Sequence, residues 1–67
     1  MRHNFLSMTR SEIEKLIDER VLHERNRKII KRRLLDGIRF EPLAEEFDLS
    51  VRKVKNIVYK AEDRLFR

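Results

Sequence analysis

Residues 43–60 read LAEEFDLSVRKVKNIVYK, and this stretch decides the predicted fold. Most of its apolar residues recur at spacings of three and four, which keep side chains on one face of a helix. Asp48 and Leu49 form a predicted turn, and Ser50 is a residue type that commonly caps a helix N-terminus. The stretch therefore predicts two short helices joined by a turn, with the spacing of a helix-turn-helix at about residues 40–60.

The apolar residues of this stretch predict how the two helices pack. Ala44 is small at the point where the second helix has to approach closely. The rest of the predicted core comes from both helices and the turn: Leu43, Phe47, Leu49, Val54 and Ile57. An ordinary helical hairpin needs the same core, so the apolar pattern alone does not distinguish the two.

The opposite face of the second helix, predicted to end near Leu65, is basic and polar. An arginine can donate two hydrogen bonds to guanine and an asparagine can bond adenine twice, so Arg52 and Asn56 are the candidate base-reading residues. Lysines are common phosphate contacts. The candidate DNA-binding residues are Ser50, Arg52, Lys53, Lys55, Asn56, Tyr59 and Lys60. Contact is expected to end near Lys60, because phosphates would repel Asp63.

The one glycine and the one proline of the chain lie just before this stretch. Gly37 predicts the end of a preceding helix, since glycine adopts the left-handed conformation without a Cβ penalty. Pro42 is tolerated in the first turn of a helix, which predicts a helix start at about Glu41. With nothing else that strongly breaks a helix, we predict an all-α fold, a three- to four-helix bundle with a helix-turn-helix motif.

The N-terminal half of the chain predicts two further helices. Thr9 and Ser11, each followed three residues later by a glutamate, offer overlapping capping boxes for a first helix. Its apolar stripe is Ile13, Leu16, Ile17 and Val21. Ile29, Ile30 and Leu34 are displaced around the helix from that stripe, which predicts a break near residues 23–26 and a second helix over about 26–35. Residues 1–8 are predicted to be a flexible arm and residues 9–67 a single helical domain.

Charge and composition narrow the class of protein. Seventeen basic against twelve acidic residues give a net charge of +5. Basic residues concentrate in 25–35 and 50–67, on either side of an acidic segment, 41–49. This balance suits a polyanionic partner, although a salt-bridged helical surface has the same composition. The lack of cysteine and of a long apolar run predicts a cytoplasmic protein that does not enter a membrane.

From about residue 26 to residue 65 the chain resembles the fourth conserved region of sigma-70-type factors and the DNA-binding domain of LuxR-type response regulators. The matching outline is Ile29-Ile30, Gly37, Phe40-Glu41-Pro42-Leu43-Ala44, Phe47-Asp48-Leu49-Ser50 and Val54-Lys55. The tail YKAEDRLF is similar to the ending of the sigma region. The resemblance implies promoter or operator DNA as the partner and, in the sigma case, RNA polymerase.

The chain departs from that outline at four positions. Arg39 stands where a Thr or Ser cap is usual, Pro42 where Glu is frequent, and Asp48 where a small turn residue is usual. Arg33 occupies an expected core position of the second helix. Without a sigma region two, the expected protein is a stand-alone, phage-like transcriptional regulator that reads the major groove of duplex DNA.

Other functions remain open at this point. An enzyme is not expected, because the chain offers no nucleophile constellation, phosphate-binding loop or metal-ligand spacing, and no cofactor or metal is predicted. A DNA-packaging adaptor similar to a phage terminase small subunit would also use a helix-turn-helix. A protein-interaction module could keep the fold without binding DNA. Pairing of two copies as a homodimer on DNA is left open.

Overall fold

The computed structural model describes residues 8–66 and confirms the all-α fold. Its four helices are α1 (Arg10–Arg20), α2 (Glu24–Leu34), α3 (Phe40–Glu46) and α4 (Val51–Leu65). Residues 1–7 of the predicted arm lie outside the described residues, and Met8 packs against the core. None of the helices described here has the length and apolar character that a bilayer crossing requires.

Helix α1 begins at a capping box. The Thr9 hydroxyl accepts a hydrogen bond from the Glu12 amide at 3.2 Å, and the Thr9 amide donates to the Glu12 carboxylate at 3.0 Å. Of the two boxes that the sequence offers, the first is formed. The hydrogen bond donated by the Thr9 amide stabilises the ionised carboxylate and holds the pKa of Glu12 below its usual value.

The predicted break between α1 and α2 is present, but it lies about two residues earlier than the predicted 23–26. Residues 21–23 connect the helices, and α2 begins at Glu24. The Arg27 guanidinium reaches back and donates to the carbonyl oxygens of Val21 at 3.0 Å and Leu22 at 3.1 Å. Val21 is therefore buried although it lies outside the helix, while Leu22 is 85% exposed.

The connection from α2 to α3 turns at Gly37, as the sequence predicts. Gly37 has φ +69°, and no atom lies close to the position that a Cβ would occupy. Glycine is thus favoured here by its backbone conformation and not by a close approach. The turn is closed by the Ile38 amide, which donates to the Arg32 carbonyl at 3.2 Å.

Helix α3 begins one residue before the predicted start, and Pro42 lies in its first turn. Its N-cap, Arg39, makes no side-chain capping bond. At the other end Asp48 adopts φ +55°, a left-handed conformation that aspartate tolerates better than most residues. The Leu49 amide then donates to the Ala44 carbonyl at 2.9 Å, which fixes the turn before Ser50.

The core consists of two apolar clusters that share α2 and α4. Ile29 packs in the cluster formed with α3, whereas its neighbour Ile30 packs in the cluster formed with α1. Helix α4 contributes Val54 and Val58 to the first of these and Ala61 and Leu65 to the second. One face of α4 is consequently buried along its length, and the opposite face is left exposed.

Candidate nucleic-acid interface

The exposed face of α4 carries every candidate residue that the sequence singles out. Ser50 at the N-cap and Arg52, Lys53, Lys55, Asn56, Tyr59 and Lys60 on the helix are all exposed. Tyr59 is 54% exposed. The predicted inward face is confirmed as well, since Val54 and Val58 are fully buried.

Ser50 has a structural role at the start of α4. Its hydroxyl oxygen accepts a hydrogen bond from the Lys53 amide at 3.1 Å. The hydroxyl proton is not used in that bond, so it can still be donated to an acceptor such as a phosphate oxygen. Because the first amides of a helix also favour anions, this end of α4 suits a negatively charged group.

Lys55 and Tyr59 are held against the ring of Phe40, the first residue of α3. The Tyr59 ring meets Phe40 edge to face, with the centroids 5.9 Å apart. The Lys55 ammonium lies 5.6 Å from the Phe40 centroid, and the Arg33 guanidinium carbon lies 4.2 Å from it. Arg33 also donates to the Ile38 carbonyl at 3.1 Å. The arginine that departs from the family outline thus packs on an aromatic ring at the edge of the core.

The remaining basic side chains of α4 are not neutralised by the protein. Arg52, Lys53, Lys60 and Arg64 have no carboxylate within ion-pair distance among residues 8–66. Asn56, on the same side of the helix, makes no side-chain hydrogen bond within that range. This face therefore combines uncompensated positive charge with side chains that donate directional hydrogen bonds.

The other basic segment, residues 25–35, behaves differently. Lys31 pairs with Asp18 of α1 at 2.8 Å, and Arg32 pairs with Glu46 of α3 at 2.6 Å. Hydrogen bonding to Glu46 raises the pKa of Arg32 above its usual value.

Lys28 lies 3.8 Å from Glu24. Lys31 and Arg32 thus connect α2 to α1 and α3, Arg27 and Arg33 bond backbone carbonyls of loops, and the Lys28 pair lies within α2.

The acidic residues of α3 are exposed, as the sequence predicts. Glu45 is free of ion pairs within the described residues, whereas Glu46 is drawn to Arg32 on α2. Asp36 extends the Glu46–Arg32 ion pair, because the Asp36 carboxylate accepts a hydrogen bond from Arg10 at 2.9 Å and lies 3.7 Å from Arg32. Its hydrogen bond to Arg10 raises the pKa of that guanidinium. The chain of charges connects α1, α2 and α3 on the surface.

Two residues that the sequence did not single out lie beside the candidate face. A groove of about 260 Å³ runs between the start of α2 and one flank of α4. We call it the α2–α4 groove; its lining residues are Val21, Asn26, Ile30, Lys53, Asn56, Ile57, Lys60, Ala61 and Arg64. Asn26 and Arg64 thus come next to three of the candidate residues. Asn26 is distant in sequence from α4, and only the packing of α2 on α4 brings it there.

The arrangement offers binding chemistry rather than a metal site. Within residues 8–66 no group of histidine and carboxylate side chains is placed to hold a metal ion. No protein-family model, curated protein sequence or solved structure matches this chain. The functional inference therefore depends on the side chains and charges described above.

Proposed function

We propose that this protein is a sequence-specific DNA-binding transcriptional regulator whose helix α4 enters the major groove of duplex DNA. Helix α3 and the turn support α4 from behind, as the first helix of a helix-turn-helix supports a recognition helix. A major groove about 12 Å wide admits one α-helix, and α4 has a whole exposed face to offer.

One observation carries the proposal: Arg52, Lys53, Lys60 and Arg64 of α4 have no carboxylate partner among residues 8–66, whereas three of the six basic residues of α2 do. Lys31 and Arg32 have carboxylate partners at 2.8 and 2.6 Å. Arg52 and Lys60 have none among the described residues. Exposed like charges on one helix repel each other, so such a face is stabilised by a polyanion.

The residue types on this face divide into two roles. Arg52 and Asn56 can each make two hydrogen bonds to a base edge, which is the chemistry of direct sequence reading. Lys53, Lys55, Lys60 and the Ser50 hydroxyl suit phosphate oxygens, which orient the protein on DNA without reading sequence. Tyr59, held by Phe40, adds a rigid ring beside the two base-reading candidates.

The proposal predicts that binding to duplex DNA weakens steeply with salt. Each phosphate that the protein neutralises contributes about 0.9 to the slope of log affinity against log salt concentration. Lys60→Ala should lower that slope by about 0.9, because it removes one phosphate contact. Lys31→Ala is the matched control, since Lys31 is already paired with Asp18, and its slope should equal that of the parent.

Fluorescence anisotropy with a labelled duplex over a series of salt concentrations measures all three slopes. Lack of binding at low salt, or an affinity that does not respond to salt, would contradict DNA binding and favour a protein-interaction module. Equal slopes for Lys60→Ala and the parent would contradict the assignment of Lys60 as a phosphate contact.

A further inference from the structure

We infer that the α2–α4 groove receives the sugar–phosphate backbone of one DNA strand, with Asn26 and Arg64 as phosphate contacts outside residues 50–60. The inference extends the proposed function and rests on it. When a helix lies in the major groove, a phosphate backbone runs along each of its flanks. The α2–α4 groove lies along one flank of α4, directly beside the exposed face.

The charge of this groove favours an anion. Lys53, Lys60 and Arg64 line it, and no carboxylate is among its described lining residues. None of the three has an ion-pair partner within residues 8–66. A concave surface lined by charges of one sign concentrates the electrostatic field, so an anion is attracted more strongly there than to isolated surface charges.

Asn26 supplies hydrogen-bond donors on the opposite wall. Its amide oxygen accepts weakly from Arg25 at 3.4 Å. The NH₂ group of Asn26 has no partner among the described residues, although the side chain is half-buried. An amide that keeps free donors at the edge of a basic groove is suited to a phosphate oxygen.

The dimensions fit a backbone strand better than a single small anion. The groove has a volume of about 260 Å³, and a single water molecule needs only about 10–15 Å³ of such volume. Lys53 and Arg64 are separated by about 16 Å along α4, at 1.5 Å per residue. They therefore contact different phosphates, as residues that follow one strand would. The protein would thus grip DNA from α2 as well as from α4.

The experiment compares Arg64→Ala and Asn26→Ala with the parent on a short duplex of mixed sequence, over a range of salt concentrations. Arg64→Ala should lower the log–log salt slope by about 0.9. Asn26→Ala removes no charge, so it should keep the slope and lower affinity by about ten- to hundred-fold, the loss expected of a hydrogen bond to a charged group. Arg64→Lys should restore the slope.

Lys15→Ala is the matched control, because Lys15 is an exposed and unpaired cation of α1 that does not line the groove. Its salt slope and affinity should equal those of the parent. Circular dichroism melts identify any variant that is less folded. If the parent binds but the Arg64 and Asn26 variants behave like Lys15→Ala, the groove does not contact the backbone and only this inference fails. If the parent itself does not bind duplex DNA, the proposed function fails with it.

Discussion

Ser50 illustrates how one side chain can serve both the fold and the proposed interface. Its hydroxyl oxygen caps α4 by accepting from the Lys53 amide at 3.1 Å, and its proton remains available to a ligand. Thr9 caps α1 with the same chemistry, but it lies at the far end of the chain from the α4 face. Matched variants of Ser50 and Thr9 can therefore separate effects on protein stability from effects on DNA binding.

Ser50→Asp should preserve the cap and weaken DNA binding. Aspartate caps helices as well as serine does and interacts favourably with the helix dipole, so the melting temperature should not fall. Its carboxylate would however repel phosphate, and affinity should drop by at least ten-fold. Thr9→Asp is the control and should leave affinity unchanged. If both variants bind DNA like the parent, the N-terminus of α4 does not approach the phosphates.

Ser50→Ala removes the cap itself and should cost about 1 kcal/mol of unfolding free energy, as for other N-cap serines. Chemical denaturation of the parent and the variant measures this difference directly. An unchanged stability would mean that the hydrogen bond from Lys53 does not stabilise α4.

At the scale of elements, α3 and α4 depend on a small residue at their crossing and on an aromatic ring at its edge. Ala44 is 4% exposed and packs in the same cluster as Val54 and Val58. Phe40 is the first residue of α3 and contacts Tyr59 and Lys55 of α4. Ala44 governs whether α3 packs on α4, and Phe40 governs how the exposed side chains of α4 are held.

Ala44→Glu should unfold the protein, because it would bury an unpaired carboxylate between two packed helices. Glu45→Ala changes an exposed neighbour and should melt like the parent. Thermal melts followed by circular dichroism compare the two variants. An Ala44→Glu protein as stable as the parent would contradict the packing of α3 on α4.

Phe40→Leu should weaken DNA binding more than Phe47→Leu does, although both replace a half-buried ring of the same cluster. The Phe40 variant also loses the ring pair and the cation contacts, which together contribute roughly 1–2 kcal/mol to stability. Lys55 and Tyr59 would then have to be ordered on binding. Phe47 has no ring or cation partner among the described residues. Equal affinities for the two folded variants would show that Phe40 does not position the α4 face.

At the scale of the whole molecule, the net charge of +5 describes the protein less well than the placement of its charges does. The basic residues of 25–35 connect helices, for example through Lys31 to Asp18 and Arg32 to Glu46. Five cations without a carboxylate partner among residues 8–66 lie on α4, and three of them line the α2–α4 groove. One acidic side chain of α3, Glu46, is consequently used to hold α2.

Local sequence signals predicted the helices well. Gly37, Pro42 and Ser50 each act within one turn of the backbone, so they mark the end of α2, the start of α3 and the start of α4. The α1–α2 break was predicted about two residues too late, because Val21 continues the apolar stripe of α1. The end of α1 is visible only in the structure, where the Arg27 guanidinium bonds the Val21 carbonyl.

The sequence predicted only those residues of the candidate site whose exposure follows from the helical spacing of α4. Exposure of Arg52, Asn56 and their neighbours follows from the spacing of the buried residues. The pairing of Lys31 and Arg32 and the placement of Asn26 depend on how helices distant in the chain pack together. No local pattern contains that information, so the sequence did not distinguish the paired cations of residues 25–35 from the unpaired cations of α4.

The central claim is that α4 reads the sequence of DNA, and it is tested most directly with Arg52 and Asn56. Selection from a random duplex pool supplies the preferred site, and affinities are then measured on that site and on a scrambled duplex at one salt concentration. Arg52→Ala and Asn56→Ala should cost about 1–3 kcal/mol on the preferred site and much less on the scrambled one, whereas Lys53→Ala and Lys60→Ala should weaken both alike. Equal losses on both duplexes for Arg52→Ala and Asn56→Ala, or a pool without enriched sequences, would contradict sequence reading by α4.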